Sequence, residues 1–347
     1  MSDKARIGVI GAGWWAVVNH LPVLAGFEDC EVVAVNRLGA EELAAVKEAF
    51  AVPHAFEDYR AMLDTVPMDG VVVASPHTLH FEHAMAALDK GCHVLVEKPM
   101  TTTAADARAL VDRAAEVDRQ IVVAYGWNFR PMIEEARRLA PGVGEVEHVV
   151  LHMANALEDL FAGQPMLETE GAMFRPPPST WADPARAGGF GWGQLVHALG
   201  LLFRVVDGLE PAEVFALTGQ SPANVDYYDA AAVRFADGGT ASLSGAATLP
   251  KGEPVQIDLK VFGSEGMLLF DIERARVELR RRDGTGETVT LAPDAGAYEC
   301  VGPLRALVDL SLGRPTVNPA SGIVGMRAVE VLDALYRSAS SGRMEAV

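Results

Sequence analysis

Residues 6–16 read Arg6-Ile7-Gly8-Val9-Ile10-Gly11-Ala12-Gly13-Trp14-Trp15-Ala16, and this stretch decides the fold. Ile7, Val9 and Ile10 form a short apolar run of the kind that buried parallel strands carry. Gly11 and Gly13 allow a tight turn and a close approach of backbone N–H groups to a pyrophosphate. Ala16 is small enough for the next helix to pack on the strand, and that helix turns the positive end of its dipole toward the phosphates. Glycine-rich turns are common, and the alternative is an ordinary strand-to-helix turn. The position of this one, after a strand and at the opening of a helix, points to a dinucleotide site that also takes in Trp14 and Trp15.

The 347 residues are enough for two domains with cores of their own. Half of them are hydrophobic, yet no run reaches the roughly 18 apolar residues that a membrane span needs. The chain passes from Met1-Ser2-Asp3-Lys4-Ala5 into its first strand with no apolar signal segment ahead of it. Cys30, Cys92 and Cys300 are few, odd in number and far apart, which argues against a disulfide framework and fits a reducing cytosol. A net charge of −18 disfavours nucleic acid and anionic membrane as partners. A soluble cytoplasmic protein acting on a small molecule is expected.

Outward from the fingerprint, a helix is expected from Trp14 to about Leu24, kinked or shortened by Pro22. Glu31–Asn36 reads as the second strand and completes a βαβ unit. The residue closing that strand often is an acid that bonds the adenosine ribose; here it is Asn36, followed by Arg37. A neutral amide does not repel a 2′-phosphate, and Arg37 is suited to pair with one or stack on adenine. NAD and NADP both remain open, with a slight lean to NADP. Strands at Gly70–Ala74, His93–Val96 and Ile121–Tyr125 alternate with helices at Glu41–Phe50, His80–Lys90 and Thr101–Val117, with Thr102 or Thr103 as N-cap of the last. This predicts a doubly wound parallel sheet.

The second half has another grammar. Strands follow one another at Val146–Asn155, Glu213–Gly219, Ala230–Phe235, Thr240–Ala246, Val255–Phe262, Met267–Phe270 and Val277–Arg282, with turn residues between several of them. Ala156–Ala187 is a loop-rich excursion, long enough without periodicity to suggest function or partner contact. Helices are expected at Gln194–Val206, Pro303–Leu312 and Ala320–Ser338. The division is residues 1–126, a dinucleotide-binding domain, and 127–347, an α+β domain for substrate and oligomerisation.

Two strand ends carry the chemistry. Ser75-Pro76-His77 and Glu97-Lys98-Pro99 both leave apolar strands at the edge where open α/β sheets hold ligands. A lysine there suits stabilisation of a developing alkoxide, with Glu97 holding the ammonium; the bland alternative is an ordinary ion pair. His197 follows the Gly-rich run Gly188–Gly193 on a helix, and an imidazole titrates where a hydroxyl proton must be taken or returned. His77, His80 and His83 recur every third residue, but only Glu82 lies near, so capping and cofactor contact fit better than a metal; no metal is expected. Trp14 and Trp127 sit beside glycines at ligand-facing turns, whereas core packing is the default for Trp181 and Trp192.

Ile10-Gly11-Ala12-Gly13, Ser75-Pro76-His77-Thr78-Leu79-His80 and His93-Val94-Leu95-Val96-Glu97-Lys98-Pro99, in that order, resemble the glucose–fructose oxidoreductase/inositol dehydrogenase/rhizopine-catabolism (Gfo/Idh/MocA) family. Gly126-Trp127-Asn128-Phe129-Arg130-Pro131 and Gly188 through His197 extend the likeness over nearly the whole chain. The resemblance implies an N-terminal Rossmann domain, a C-terminal α/β domain with an open antiparallel sheet, and NAD(P)-dependent oxidation or reduction of sugars, inositols or related polyols. It implies a homodimer or homotetramer, with Lys98 as the catalytic lysine and His197 as the acid/base histidine. Trp127, Asn128, Trp181 and Gln194 are expected to shape the substrate pocket. In the family an aspartate stands four residues before that histidine, where this chain has Gly193. Two alternatives are therefore kept: transient use of cofactor for glycoside cleavage or epimerisation, and a non-enzymatic dinucleotide-binding regulator.

Overall fold

Strand β1 (Ala5–Ile10) is buried along all its length except Arg6, as its apolar pattern requires, and five further strands pair beside it. These are β2 (Cys30–Asn36), β3 (His54–Phe56), β4 (Gly70–Val73), β5 (His93–Val96) and β6 (Ile121–Val123). Every pairing is parallel and the order is β3-β2-β1-β4-β5-β6, the doubly wound arrangement whose ligand crevice opens at the carboxyl ends of the strands. The computed structural model describes residues 4–165 and 171–347. Residues 1–3, ahead of the first strand, and 166–170, inside the Ala156–Ala187 excursion, lie outside the described residues.

The chain forms two compact units, and they are not divided at a single point. Among the described residues, 4–126, 171–177 and 299–326 make the unit that holds the parallel sheet. Trp127–Pro165, Pro178–Tyr298 and Arg327–Val347 make the other. In the first unit the helix Val301–Ser311 buries Leu304, Leu307 and Val308. Gly325, on the helix Gly322–Ser341, lies so close to β6 that a Cβ there would stand 2.6 Å from the Val123 side chain.

The second unit is built on a nine-stranded sheet in the order β14-β13-β12-β11-β7-β10-β9-β8-β15. Its strands are β7 (Val146–Ala154), β8 (Pro211–Gln220), β9 (Asp226–Phe235), β10 (Thr240–Ala246), β11 (Gln256–Gly263), β12 (Gly266–Asp271), β13 (Arg276–Arg281), β14 (Gly286–Thr290) and β15 (Glu345–Ala346). β7 and β10 run parallel; the other pairings are antiparallel. Along β11 the apolar Ile257, Leu259 and Val261 are buried, the period-two signature of a sheet with one face on the core. Among the described residues no helix is long and apolar enough to cross a membrane.

One sequence expectation is corrected. Pro22 neither ends nor shortens the helix after the fingerprint, which continues to Ala25. The turn before it, Ala16–His20, widens into a π-turn in which the Leu21 N–H bonds the Ala16 carbonyl, an i→i−5 bond. Proline has no N–H to give to the carbonyl four residues back, so the widened turn absorbs the missing bond. Two short strands, β3 and β15, and the exposed β14 were not anticipated at all. Thr103 does cap its helix, accepting the Asp106 N–H at 3.1 Å.

The turn after β1 depends on one glycine. Gly11 has φ +83°, and a Cβ on it would lie 2.5 Å from the Ser75 nitrogen and 2.6 Å from the Ser75 Cα. Both atoms belong to backbone, which cannot swing aside. Gly11→Ala is expected to cost about 1–3 kcal/mol, read as a lowered thermal midpoint, and to weaken the stabilisation that added NAD(P) gives; an unchanged midpoint would refute this account of the turn.

Candidate active site

The first unit gathers its candidate residues at the carboxyl ends of β1, β2, β4 and β5. After Gly11, Gly13 leaves open space: the atom nearest to a Cβ built there is 3.9 Å away, on Arg37 or Gly11. The Gly13 carbonyl accepts the Val17 N–H at 3.0 Å and so starts the helix, with Ala16 buried against the sheet. A tight glycine turn with room beside it, leading into a helix, fits a pyrophosphate. Asn36 braces this turn: its carbonyl accepts the Gly11 and Ala12 N–H groups at 3.0 and 2.9 Å. Its side-chain amide donates to the Phe56 and Glu57 carbonyls. Arg37 lies with its guanidinium 3.8 Å over the Phe174 ring and its Nη1 3.4 Å from the Ala12 carbonyl.

At the end of β5 the Glu97 carboxylate is a hub, 7% exposed. Its Oε1 accepts the Trp15 indole N–H at 2.7 Å and meets His20 Nε2 at 2.8 Å; its Oε2 accepts the Lys98 backbone N–H at 3.1 Å. Burial pushes the Glu97 pKa up, but the His20 hydrogen bond and the charges of His20 and Lys98 outweigh it and hold the carboxyl below its usual range. For Lys98, half-buried beside it, burial lowers the ammonium pKa against the opposing pull of Glu97. Trp14 meets Trp15 edge-on at 5.4 Å.

The histidines after β4 are committed to the protein. His80 is fully buried, with Nδ1 2.7 Å from the Pro99 carbonyl and Nε2 2.8 Å from the Ser75 carbonyl, so it ties the two strand ends together. His83 Nδ1 meets the Ser75 hydroxyl at 2.9 Å, and burial pulls its pKa down to about 4. His77 is the partly exposed member, its ring 5.8 Å from that of His80, while Pro76 is exposed.

In the second unit His197 sits on a helix, Val196–Val205, whose ten residues are all buried. Its ring meets Trp127 edge-on at 5.1 Å and Tyr298 at 5.4 Å, and those two rings meet each other at 4.8 Å. Trp127 is fixed by its indole N–H, which donates to the Gly296 carbonyl at 2.9 Å. Asn128 is wholly buried and donates to the Gly200 carbonyl of the His197 helix at 3.0 Å. The helix is entered through a second π-turn, Gly191–Leu195.

Gly193 has a physical counterpart. A Cβ there would stand 3.1 Å from the buried Phe161 ring and 3.9 Å from Trp181 Cδ1, so aromatic carbon fills the space a longer residue would use. The next residue, Gln194, accepts the Asn155 amide N–H at 2.9 Å. The Asn155 Oδ1 is buried and has no hydrogen-bond partner among the described residues. Sequence reasoning missed His20, Asn155 and Tyr298. His20 and Glu97 are 77 residues apart, and no spacing pattern links them.

The Glu97 hub yields a pH test. A carboxyl held below its ordinary pKa contributes stability above that ordinary value and loses it as the pH falls through the lowered one. Glu97→Gln is expected to lower the thermal midpoint at neutral pH, at a cost of about 1–3 kcal/mol. The gap from wild type should narrow as the pH drops below the carboxylate range. A gap that stays constant down to acid would show that the charge of Glu97 does not matter.

The comparisons agree with this architecture. Residues 5–125 match the oxidoreductase family with NAD-binding Rossmann fold, and residues 142–269 match the GFO/IDH/MocA C-terminal domain. D-glucoside 3-dehydrogenase of Escherichia coli K12 is 36% identical over 129 residues, which is 37% of this chain and 36% of that protein, so the alignment spans little more than a third of either. D-xylose 1-dehydrogenase (NADP(+)) 2 of Haloferax volcanii is 26% identical over 339 residues, 96% of this chain and 97% of that protein. A solved levoglucosan dehydrogenase, in complex with NADH and levoglucosan, has the same fold with a TM-score of 0.78 at 19% identity, over 99% of each chain. The chain belongs to the GFO/IDH/MocA family of oxidoreductases, with an NAD-binding Rossmann fold at its N-terminus.

Proposed function

We propose that this protein is an NAD(P)-dependent dehydrogenase or reductase acting on a secondary hydroxyl or ketone of a sugar, glycoside or cyclitol. The observation that carries the reading is Lys98: a half-buried ammonium with a lowered pKa, at the carboxyl end of β5, anchored through its own N–H to Glu97. A cation so placed polarises the substrate oxygen and stabilises negative charge developing on it. His197 takes the hydroxyl proton in oxidation and returns it in reduction. The bound nicotinamide supplies the hydride acceptor or donor. Trp181, Asn128 and Gln194 shape the substrate pocket, Asn128 by fixing the His197 helix and Gln194 through its amide pair with Asn155.

Gly11, Gly13, Trp14, Trp15 and Ala16 are assigned to the pyrophosphate, Ser75, Pro76, His77, Glu97 and Trp127 to the rest of the cofactor, and Asn36 and Arg37 to its adenosine end; His80, expected to touch the cofactor, is buried on the Ser75 and Pro99 carbonyls and positions those two strand ends instead. The preference leans to NADP, because no carboxylate closes β2 and Arg37 stands next in the chain; burial lowers the Arg37 pKa and the charge of Glu42 opposes that shift. Residues 1–126 are assigned to the cofactor and 127–347 to substrate and subunit contacts in a cytoplasmic homodimer or homotetramer. The packing of Phe161 at Gly193 keeps a second reading in view, transient cofactor use in glycoside cleavage or epimerisation.

The test is absorbance at the nicotinamide band with NAD and NADP against a panel of sugars, glycosides and cyclitols. A substrate-dependent change is expected; turnover without net change would select the second reading. Lys98→Ala should lower kcat by about 10²–10³-fold and His197→Ala by about 10²-fold. Arg37→Ala should raise KM for NADP about tenfold and leave KM for NAD nearly unchanged. Full activity in Lys98→Ala would overturn the scheme.

A further inference from the structure

A buried acid pair lies behind the turn that leads to His197. Gly219 of β8 faces Tyr228 of β9, while Gln220 faces Asp226, so Tyr227 is an extra residue on β9. Residues three apart on a regular strand point to opposite faces, and a bulge between them removes that difference. Asp226 and Asp229 are accordingly both buried, at 2% and 3% exposure.

Asp226 does visible work on the turn. Its Oδ2 accepts the Gly191 N–H at 2.7 Å and its Oδ1 accepts the Tyr336 O–H at 2.9 Å. The Tyr336 oxygen accepts the Trp192 N–H at 3.2 Å, and the two rings stack at 5.2 Å. Gly189, with φ +110°, approaches so closely that a Cβ would stand 1.9 Å from Asp226 Oδ1. The first residues of the π-turn are thus hung on one carboxylate.

Asp229 is different. No hydrogen-bond donor meets either of its oxygens among the described residues, although both are buried, and the charge that acts on them is that of Asp226. Two ionised carboxylates buried on one face of the sheet have no donor between them and repel. One proton resolves both problems: Asp229 as the acid donates its O–H to Asp226, and Asp226 stays free to accept from the turn. We propose that Asp226 and Asp229 share one proton and act as positioning residues for His197, holding the Gly189–Trp192 turn that roots its helix. The positioning role rests on the reading of His197 as the acid/base group.

The surroundings bear this out. Burial raises the pKa of Asp229 well above the usual carboxylate range, and the charge of Asp226 raises it further; burial also raises Asp226 against the pull of Gly191 and Tyr336. Tyr336, from the helix Gly322–Ser341, is the titratable side chain bonded to the pair. The π-turn presents the Gly191 N–H, β10 presents Gly245, where a Cβ would stand 3.3 Å from Asp229 Oδ2, and β8 presents the neutral Thr218 and Gln220 opposite. Because the folded chain holds the proton more tightly than the unfolded one, the stability it contributes is full below the ordinary carboxylate range and is lost as the pH rises through the raised value.

The experiment compares thermal midpoints of wild type and Asp229→Asn from about pH 4 to about pH 9. The variant keeps a donor toward Asp226 but cannot titrate. Its midpoint should gain on that of wild type as the pH rises and then level off; parallel curves would overturn the shared proton. With the substrate identified, Asp226→Ala should lower kcat about 10–100-fold with KM within about threefold, and Asp226→Asn, which keeps one acceptor, should recover part of the loss. If Asp226→Ala does not fold, Asp226→Asn is read alone, with a smaller loss of kcat. Unchanged kcat in a folded Asp226 variant overturns the positioning role. Full activity in His197→Ala also overturns that role, by removing the acid/base reading it rests on, and the midpoints, which need no turnover, still read the shared proton.

Discussion

The buried Glu97 carboxylate is the constraint on which the first unit's site depends. An ionised carboxylate at this depth is expensive to bury without donors, and it survives by collecting the Trp15 indole, His20 and the Lys98 N–H. Those three come from two segments, the helix after the glycine turn and the end of β5. The carboxylate therefore sets the positions of the glycine turn and Lys98 together. The π-turn is part of the same solution. On an α-helix, Trp15 and His20 would be roughly 140° apart around the axis, facing different ways. A turn closed by an i→i−5 bond brings residues five apart toward one side, and both reach the same oxygen.

The second unit repeats the device with other groups. The helix of His197 also begins in a π-turn, and this turn too is held by a buried carboxylate, Asp226, acting on the backbone of the turn, on the Gly191 N–H directly and on the Trp192 N–H through the Tyr336 hydroxyl. That difference explains the run of glycines. Gly189 and Gly193 each lie where a Cβ would meet a neighbour, Asp226 in one case and Phe161 in the other, so the turn is packed tight on both sides. Gly193 is therefore integrated into the core, and an aspartate there would need Phe161 to move.

The parallel sheet of the first half, its alternation with helices and the mostly antiparallel second half were legible because each rests on a local pattern repeated many times. Gly11, Asn36 and Glu97-Lys98 were legible because strand ends punctuate that pattern. The partners of those residues were not. Glu97 meets His20, Asp226 meets Tyr336, and His197 meets Tyr298, all across sequence distances that no periodicity spans. The shortening expected at Pro22 was misjudged for a related reason: proline marks a missing bond, and only tertiary packing decides whether the helix is cut short or the turn before it widens. The strand β3 is three residues long, too short to show alternation. The excursion places Phe174 under Arg37 and Trp181 beside Gly193.

The two sets of buried acids differ in the direction of their pKa, and the cause is what faces them. Glu97 meets donors and a cation, and it is held ionised. Asp229 faces the charge of another carboxylate, and its pKa is raised. Burial acts alike on both; the partner decides the sign. The two turns consequently weaken in opposite directions of pH, the glycine turn when acid protonates Glu97 and the His197 turn when base removes the proton from the Asp pair. Each turn roots a helix that carries candidate site residues, so a range of pH bounded at both ends follows from the buried charges alone, before any titration of His197 or Lys98 is counted.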